Sequence, residues 1–82
     1  MKMPNAKTKQ YDYSKLKART AELGVTSKAV AKAGGMTPST YSLKLNGKSE
    51  FTQEQMCNIC DFLNIGYCEI PRYFFTLQVQ FN

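Results

Sequence analysis

The 82-residue chain contains no histidine. Its absence removes the usual general base near neutral pH and the commonest metal ligand. Ser–His and Cys–His catalysis are thereby excluded. The six acidic residues are scattered and form no evident carboxylate pair, so no enzymatic activity is expected. Cysteine is sparse too, at three residues. An odd count without an export signal points to free thiols. Cys57 and Cys60 form a C-x-x-C, but a zinc site needs four ligands and only Cys68 remains. The two fall on a helical apolar face and read as core packing. No metal and no cofactor is expected. No apolar run approaches the roughly 18 residues of a membrane helix. The N-terminal "MKMPNAKTKQ" lacks the apolar segment of a signal peptide. The expected location is cytoplasmic and nucleoid-associated, with no membrane partner.

Basic residues are nearly missing from the second part of the chain. Residues 49–82 hold Arg72 against Glu50, Glu54, Asp61 and Glu69, a net −3. Residues 1–48 hold ten Lys/Arg against Asp12 and Glu22, a net +8. A one-sided basic field favours a polyanionic partner. A hydrophobic fraction of 43% is that of a folded domain, and the length suits one domain.

Three segments open alike. Thr26, Thr37 and Thr52 each stand where a side-chain oxygen can cap a helix, with apolar residues at Val25/Val30, Met36/Tyr41 and Phe51/Met56. That is a hydrophobic staple around a threonine cap, three times over. Gln55 completes a capping box in the third. Pro38 suits the first helical position of the second. Gly24, Gly34-Gly35 and Asn46-Gly47 supply the stops. The predicted helices are 14–23, 27–33, 38–45 and 53–63, followed by a short turn at 66–70 that Pro71 stops. Predicted core positions include Leu16, Thr20, Leu23, Val30, Ala31, Tyr41, Leu45, Met56, Ile59, Cys60 and Leu63.

The tail is different. "FTLQVQF" alternates Phe75, Leu77, Val79 and Phe81 with Thr76, Gln78 and Gln80, the period of a half-buried strand. A lone strand leaves its backbone unpaired. Pairing with a second copy through Phe75, Leu77, Val79 and Phe81 gives a homodimer, the expected arrangement. Folding back onto residues 9–13 is the competing one. Residues 1–10 read as a flexible basic arm, 11–73 as the main domain and 74–82 as the dimerisation strand.

Helices 27–33 and 38–45, joined by a tight turn with a small residue at Ala31, have the spacing of a helix-turn-helix. The stretch "TSKAVAKAGGMTPSTYSLKLNGKSEFTQEQMCNICDFLN" resembles the Cro/lambda-repressor-like (XRE-type) helix-turn-helix family. The features carrying the resemblance are Ser27, Ala31, Gly35, Met36, Tyr41 and the "LNGK" exit. "EIPRYFFTLQVQ" is similar to small Cro-like prophage regulators. The chain departs from the pattern at Gly34 and Lys44, where the family carries apolar residues; Leu45 is expected to take the second role. The resemblance implies a mostly α fold, a lambda-repressor-like bundle of four to five helices with a C-terminal β-strand.

It also implies a function: a dimeric, sequence-specific repressor of transcription that occupies a double-stranded DNA operator. Helix 38–45 would lie in the major groove. With Tyr41 and Leu45 inward, Pro38, Ser39, Thr40, Ser42 and Leu43 would face the bases. Small hydroxyls allow close approach, and Leu43 and Pro38 suit thymine methyls. No Arg, Asn or Gln on that face offers a bidentate contact, which shifts specificity towards DNA shape. Thr26, Ser27, Lys28, Lys44, Asn46 and Lys48 would meet phosphates. The alternative is a protein-interaction module that modulates a partner repressor, consistent with the sparse decoration of helix 38–45. RNA binding is disfavoured because no aromatic platform is evident.

Overall fold

The structure, a computed structural model, describes residues 11–77. They form five α-helices: α1 (Ser14–Glu22), α2 (Ser27–Ala33), α3 (Pro38–Leu45), α4 (Gln53–Leu63) and α5 (Ile70–Phe74). A 3-10 turn at Tyr67–Glu69 leads into α5.

Each of α2, α3 and α4 begins at its threonine. Thr26 Oγ1 accepts from the Ala29 N–H, Thr37 Oγ1 from Thr40 and Thr52 Oγ1 from Gln55. At α4 the Gln55 side chain also accepts from the Thr52 N–H at 2.9 Å, closing the capping box. Such caps are each worth about 1 kcal/mol. α1 starts differently. Asp12 Oδ1 accepts from the Ser14 N–H at 2.9 Å and the Ser14 hydroxyl at 2.6 Å.

α2 and α3 end on the same device. After α2 the Met36 N–H reaches the Ala31 carbonyl at 2.9 Å and the Gly35 N–H that of Lys32 at 3.0 Å. This is a Schellman ending, and Gly35 holds the φ of 80° that it requires. α3 closes in the same way, with the Lys48 N–H on the Leu43 carbonyl at 2.9 Å.

The core lies between α1, α2, α4 and α5, with Tyr41 entering from α3. Leu16, Val30, Ala31, Ile59, Cys60 and Leu63 are fully enclosed. Burying each large apolar side chain contributes about 1.5–3 kcal/mol. Phe51, between α3 and α4, organises an aromatic cluster. Its ring meets Phe74 at 5.2 Å, Tyr13 at 5.4 Å and Tyr41 at 6.1 Å, all edge-on. Edge-to-face packing suits the ring quadrupoles. It ties the start of α1, the end of α5 and α3 to one residue. At the far end, Arg19 of α1 donates from Nε to the Leu63 carbonyl at 3.0 Å and so caps α4.

Four expectations are corrected. Leu23 is 41% exposed, because α1 has ended and the chain turns at Gly24. Pro71 does not stop a turn. It opens α5, where its missing N–H costs nothing. Lys44, not Leu45, occupies the buried α3 position beside Tyr41 (6% exposed), and Leu45 is half-buried. The C-terminal strand is not seen among the described residues. α5 continues to Phe74, and among the described residues the chain beyond it makes one antiparallel bridge, between Leu77 and Tyr11. There the Asp12 N–H donates to the Thr76 carbonyl at 2.7 Å, within one chain. Residues 1–10, expected as a basic arm, and 78–82 lie outside the described residues.

Candidate functional site

α2 and α3 pack against each other across the turn at Gly34–Thr37, and α2 also lies against α4. Gly34 lets α2 and α4 approach. A Cβ there would stand 3.2 Å from Ile59 Cγ1 and 2.7 Å from Met36 Cε. Met36 and Ile59 occupy the space that the apolar side chain expected from the resemblance would take, and both would have to shift to admit one.

With Tyr41 and Lys44 inward, α3 turns Pro38, Ser39, Ser42 and Leu43 to solvent, Leu43 at 49% exposure. Thr40 sits at the edge, half-buried, its hydroxyl accepting from Thr37 Oγ1 at 3.1 Å. Thr26, Ser27 and Lys28 are exposed at the start of α2, and Asn46 and Lys48 beyond the end of α3. Each of these residues is thus open to solvent. Lys44 does not join them. Its Nζ donates to the Glu50 carbonyl at 2.6 Å and to Ser49 Oγ at 3.3 Å, and lies 6.0 Å from the Phe51 ring centre. An ammonium held inside its own chain is not free for a phosphate, so Lys44 leaves the set. The apolar stem of lysine made this burial possible.

Of the expected dimerisation residues, Phe75 and Leu77 are about half-exposed (49% and 50%), while Val79 and Phe81 lie outside the described residues. The Tyr11 ring lies tilted against that of Phe75, their centres 6.4 Å apart. A cavity of about 270 Å³ opens between the start of α1 and the end of α3, bordered by Tyr11, Asp12, Ser14, Lys17 and Asn46. Asp12 is held below its ordinary pKa by its two bonds from Ser14.

Cys57 is half-buried, Cys60 buried and Cys68 exposed, all as free thiols. Burial pushes Cys60 up to about 11, which makes it a poor nucleophile. Among the described residues no three His, Cys, Asp or Glu side chains are grouped to hold a metal, and no helix is long and apolar enough to cross a membrane. Sequence reasoning missed the Lys44–Glu50 bond and a second one, Tyr67 Oη donating to Asp61 Oδ1 at 2.9 Å. That contact raises the Tyr67 pKa.

Residues 9–77 match the model of DUF739, described as a protein family of unknown function. The chain belongs to the DUF739 family. This DUF739 member is also similar to a solved structure, the modulator of repression (MOR) of the temperate bacteriophage TP901-1 from Lactococcus lactis. The two are 34% identical, with a TM-score of 0.68, over 87% of this chain and 96% of that one. No curated protein sequence matches the chain.

Proposed function

We propose that the protein is a phage or prophage regulator that modulates repression by binding a partner repressor. The observation carrying this reading is the likeness to the TP901-1 modulator of repression, at 34% identity over almost the whole of both chains. The open side of α3 agrees with it. Three of its five expected base-reading residues are Ser or Thr, with Pro38 and Leu43. None supplies a bidentate contact, and a half-exposed leucine suits a protein surface as well as a groove. The withdrawal of Lys44 removes one cation from that side. A reporter gene under the repressor encoded in the same phage genome tests the reading. Co-expression of this protein should change repression only when the repressor is present. An effect that persists without the repressor would refute it.

A second reading is direct operator binding by α3, as in the Cro/lambda-repressor-like family. What supports it is the exposure of Ser39, Ser42 and Leu43 on α3, with Lys28 exposed at the start of α2 and Lys48 exposed beyond the end of α3. In that case the protein alone should retard operator DNA.

A further inference from the structure

Residues 49–71 contain no lysine or arginine. α4 is the body of that stretch. Its inner face carries Met56, Ile59, Cys60 and Leu63. At about 100° per residue, Glu54 and Asp61 point away from that face, with Asn58 beside them and Phe62 on one flank. Phe62 is 43% exposed. Tyr67 stands on the other flank, 53% exposed, anchored by its bond to Asp61. Two open aromatic rings thus border two exposed carboxylates. Neither Glu54 nor Asp61 has an ion pair among the described residues. Arg19 reaches the end of α4 but donates to the Leu63 and Asn64 carbonyls and pairs with Glu22. Arg72 pairs with Glu69.

Glu54 suits the first turn of α4 and the Asp61–Tyr67 bond ties the 3-10 turn to the helix, but neither role calls for open aromatic rings beside the carboxylates. The rings are not in the core, and the carboxylates would be equally well solvated beside lysines. Aromatic anchors within a rim of one charge sign are the anatomy of a docking surface. The charge selects the occupant. A protein that binds DNA must present Lys and Arg where the phosphates lie, and an acidic face without cations is complementary to that surface. The same face repels DNA.

We propose that the outward face of α4, with Glu54, Asp61, Phe62 and Tyr67, docks on the basic, DNA-facing surface of the partner repressor. The inference rests on the reading of the protein as a repressor modulator. It adds the surface used and the consequence, which is competition with operator DNA. A second copy is the less suitable occupant. Among the described residues the exposed lysines lie on α1, on α2 and after α3, so one copy's acidic face on another's basic side is a head-to-tail contact, which builds rings or open filaments and not a two-fold pair.

The test uses the full chain, the purified repressor of the same phage genome and labelled operator DNA. Wild-type protein should bind the repressor and release the operator. The double variant Glu54→Lys with Asp61→Lys, and separately Phe62→Ala, should each weaken binding by about tenfold or more, as interface anchors and opposed charges do. Lys15→Ala, on the exposed side of α1 and away from both α3 and α4, should bind within about twofold of wild type. All variants should keep the wild-type circular dichroism, since the altered side chains are exposed. If Leu43→Ala abolishes binding while the α4 variants bind normally, the α4 face is wrong and the modulator reading stands. A ternary complex with the operator still bound overturns the competition. Self-association of the protein alone, lost in the double variant, places a second copy on the face and overturns the proposal. If wild-type protein binds no repressor, both readings fall.

Discussion

Lys44 Nζ donates to the main-chain oxygen of Glu50 at 2.6 Å, across the loop that joins α3 to α4. The bond spans six residues and closes the loop over Phe51, whose ring lies beneath the ammonium at 6.0 Å. Its stem fills the α3 position next to Tyr41, so one lysine serves as both core residue and loop clamp.

Lys44→Ala removes the stem packing and leaves the Glu50 carbonyl without its donor. The expected loss is about 2–3 kcal/mol in urea denaturation. Lys44→Met keeps most of the packing and should cost about 1 kcal/mol less. Equal stability for wild type and Lys44→Ala would show that the lysine is solvent-borne in solution.

Gly34→Val tests the close approach of α2 and α4. A Cβ at this position meets Ile59 Cγ1 at 3.2 Å and Met36 Cε at 2.7 Å, so both side chains must shift to admit valine. The φ of −80° is ordinary, so the cost is steric and not conformational. A loss of about 1–3 kcal/mol in thermal unfolding is expected. A Tm at or above that of wild type would contradict the packing described.

The elements were legible where a local group decides them. Thr26, Thr37 and Thr52 announce their helices because the capping oxygen and the N–H it serves are three residues apart. Gly24, Gly35 and Gly47 announce the stops because left-handed φ suits glycine. Pro71 was misread because proline serves at both ends of helices, and only packing against α1 shows that α5 follows. Lys44 was misread because its charge hid a four-carbon stem. Phe75 fits the alternation of the tail, yet α5 runs up to it and the pairing begins only at Leu77. The outward set on α3 follows from helical periodicity once Tyr41 is placed. The aromatic–acidic face of α4 does not, because Tyr67 joins it from a separate element.

Tyr41 sets a pH limit. Burial pushes its phenol up to about 12, opposed in smaller measure by a hydrogen bond with Thr20. The raised value means that the folded state holds the proton more tightly. This stability is fully present below the ordinary tyrosine pKa of about 10 and is lost as pH rises towards about 12. Cys60, raised to about 11, acts in the same direction from its ordinary value upwards. Unfolding followed between pH 8 and 12 should show a steeper fall for wild type than for Tyr41→Phe. Parallel curves would mean that Tyr41 is accessible to water.

Should the protein contact DNA directly, Lys48 is the cation best placed for a phosphate. The log of affinity should then fall with log salt by roughly 0.9 per phosphate neutralised, and Lys48→Ala should reduce the slope by about one unit. An unchanged slope removes Lys48 from any such interface.

The central claim is that the protein acts on a repressor. Mass measurement by light scattering on a chromatographed mixture with the repressor of its own phage genome addresses it directly, with the operator omitted. A complex whose mass is the sum of the two proteins, together with no retardation of operator DNA by this protein alone, is the predicted result. Two separate peaks at concentrations of about 100 μM, where even a weak ~10 μM complex would be mostly formed, together with operator retardation by this protein alone, would contradict the account and favour direct DNA binding.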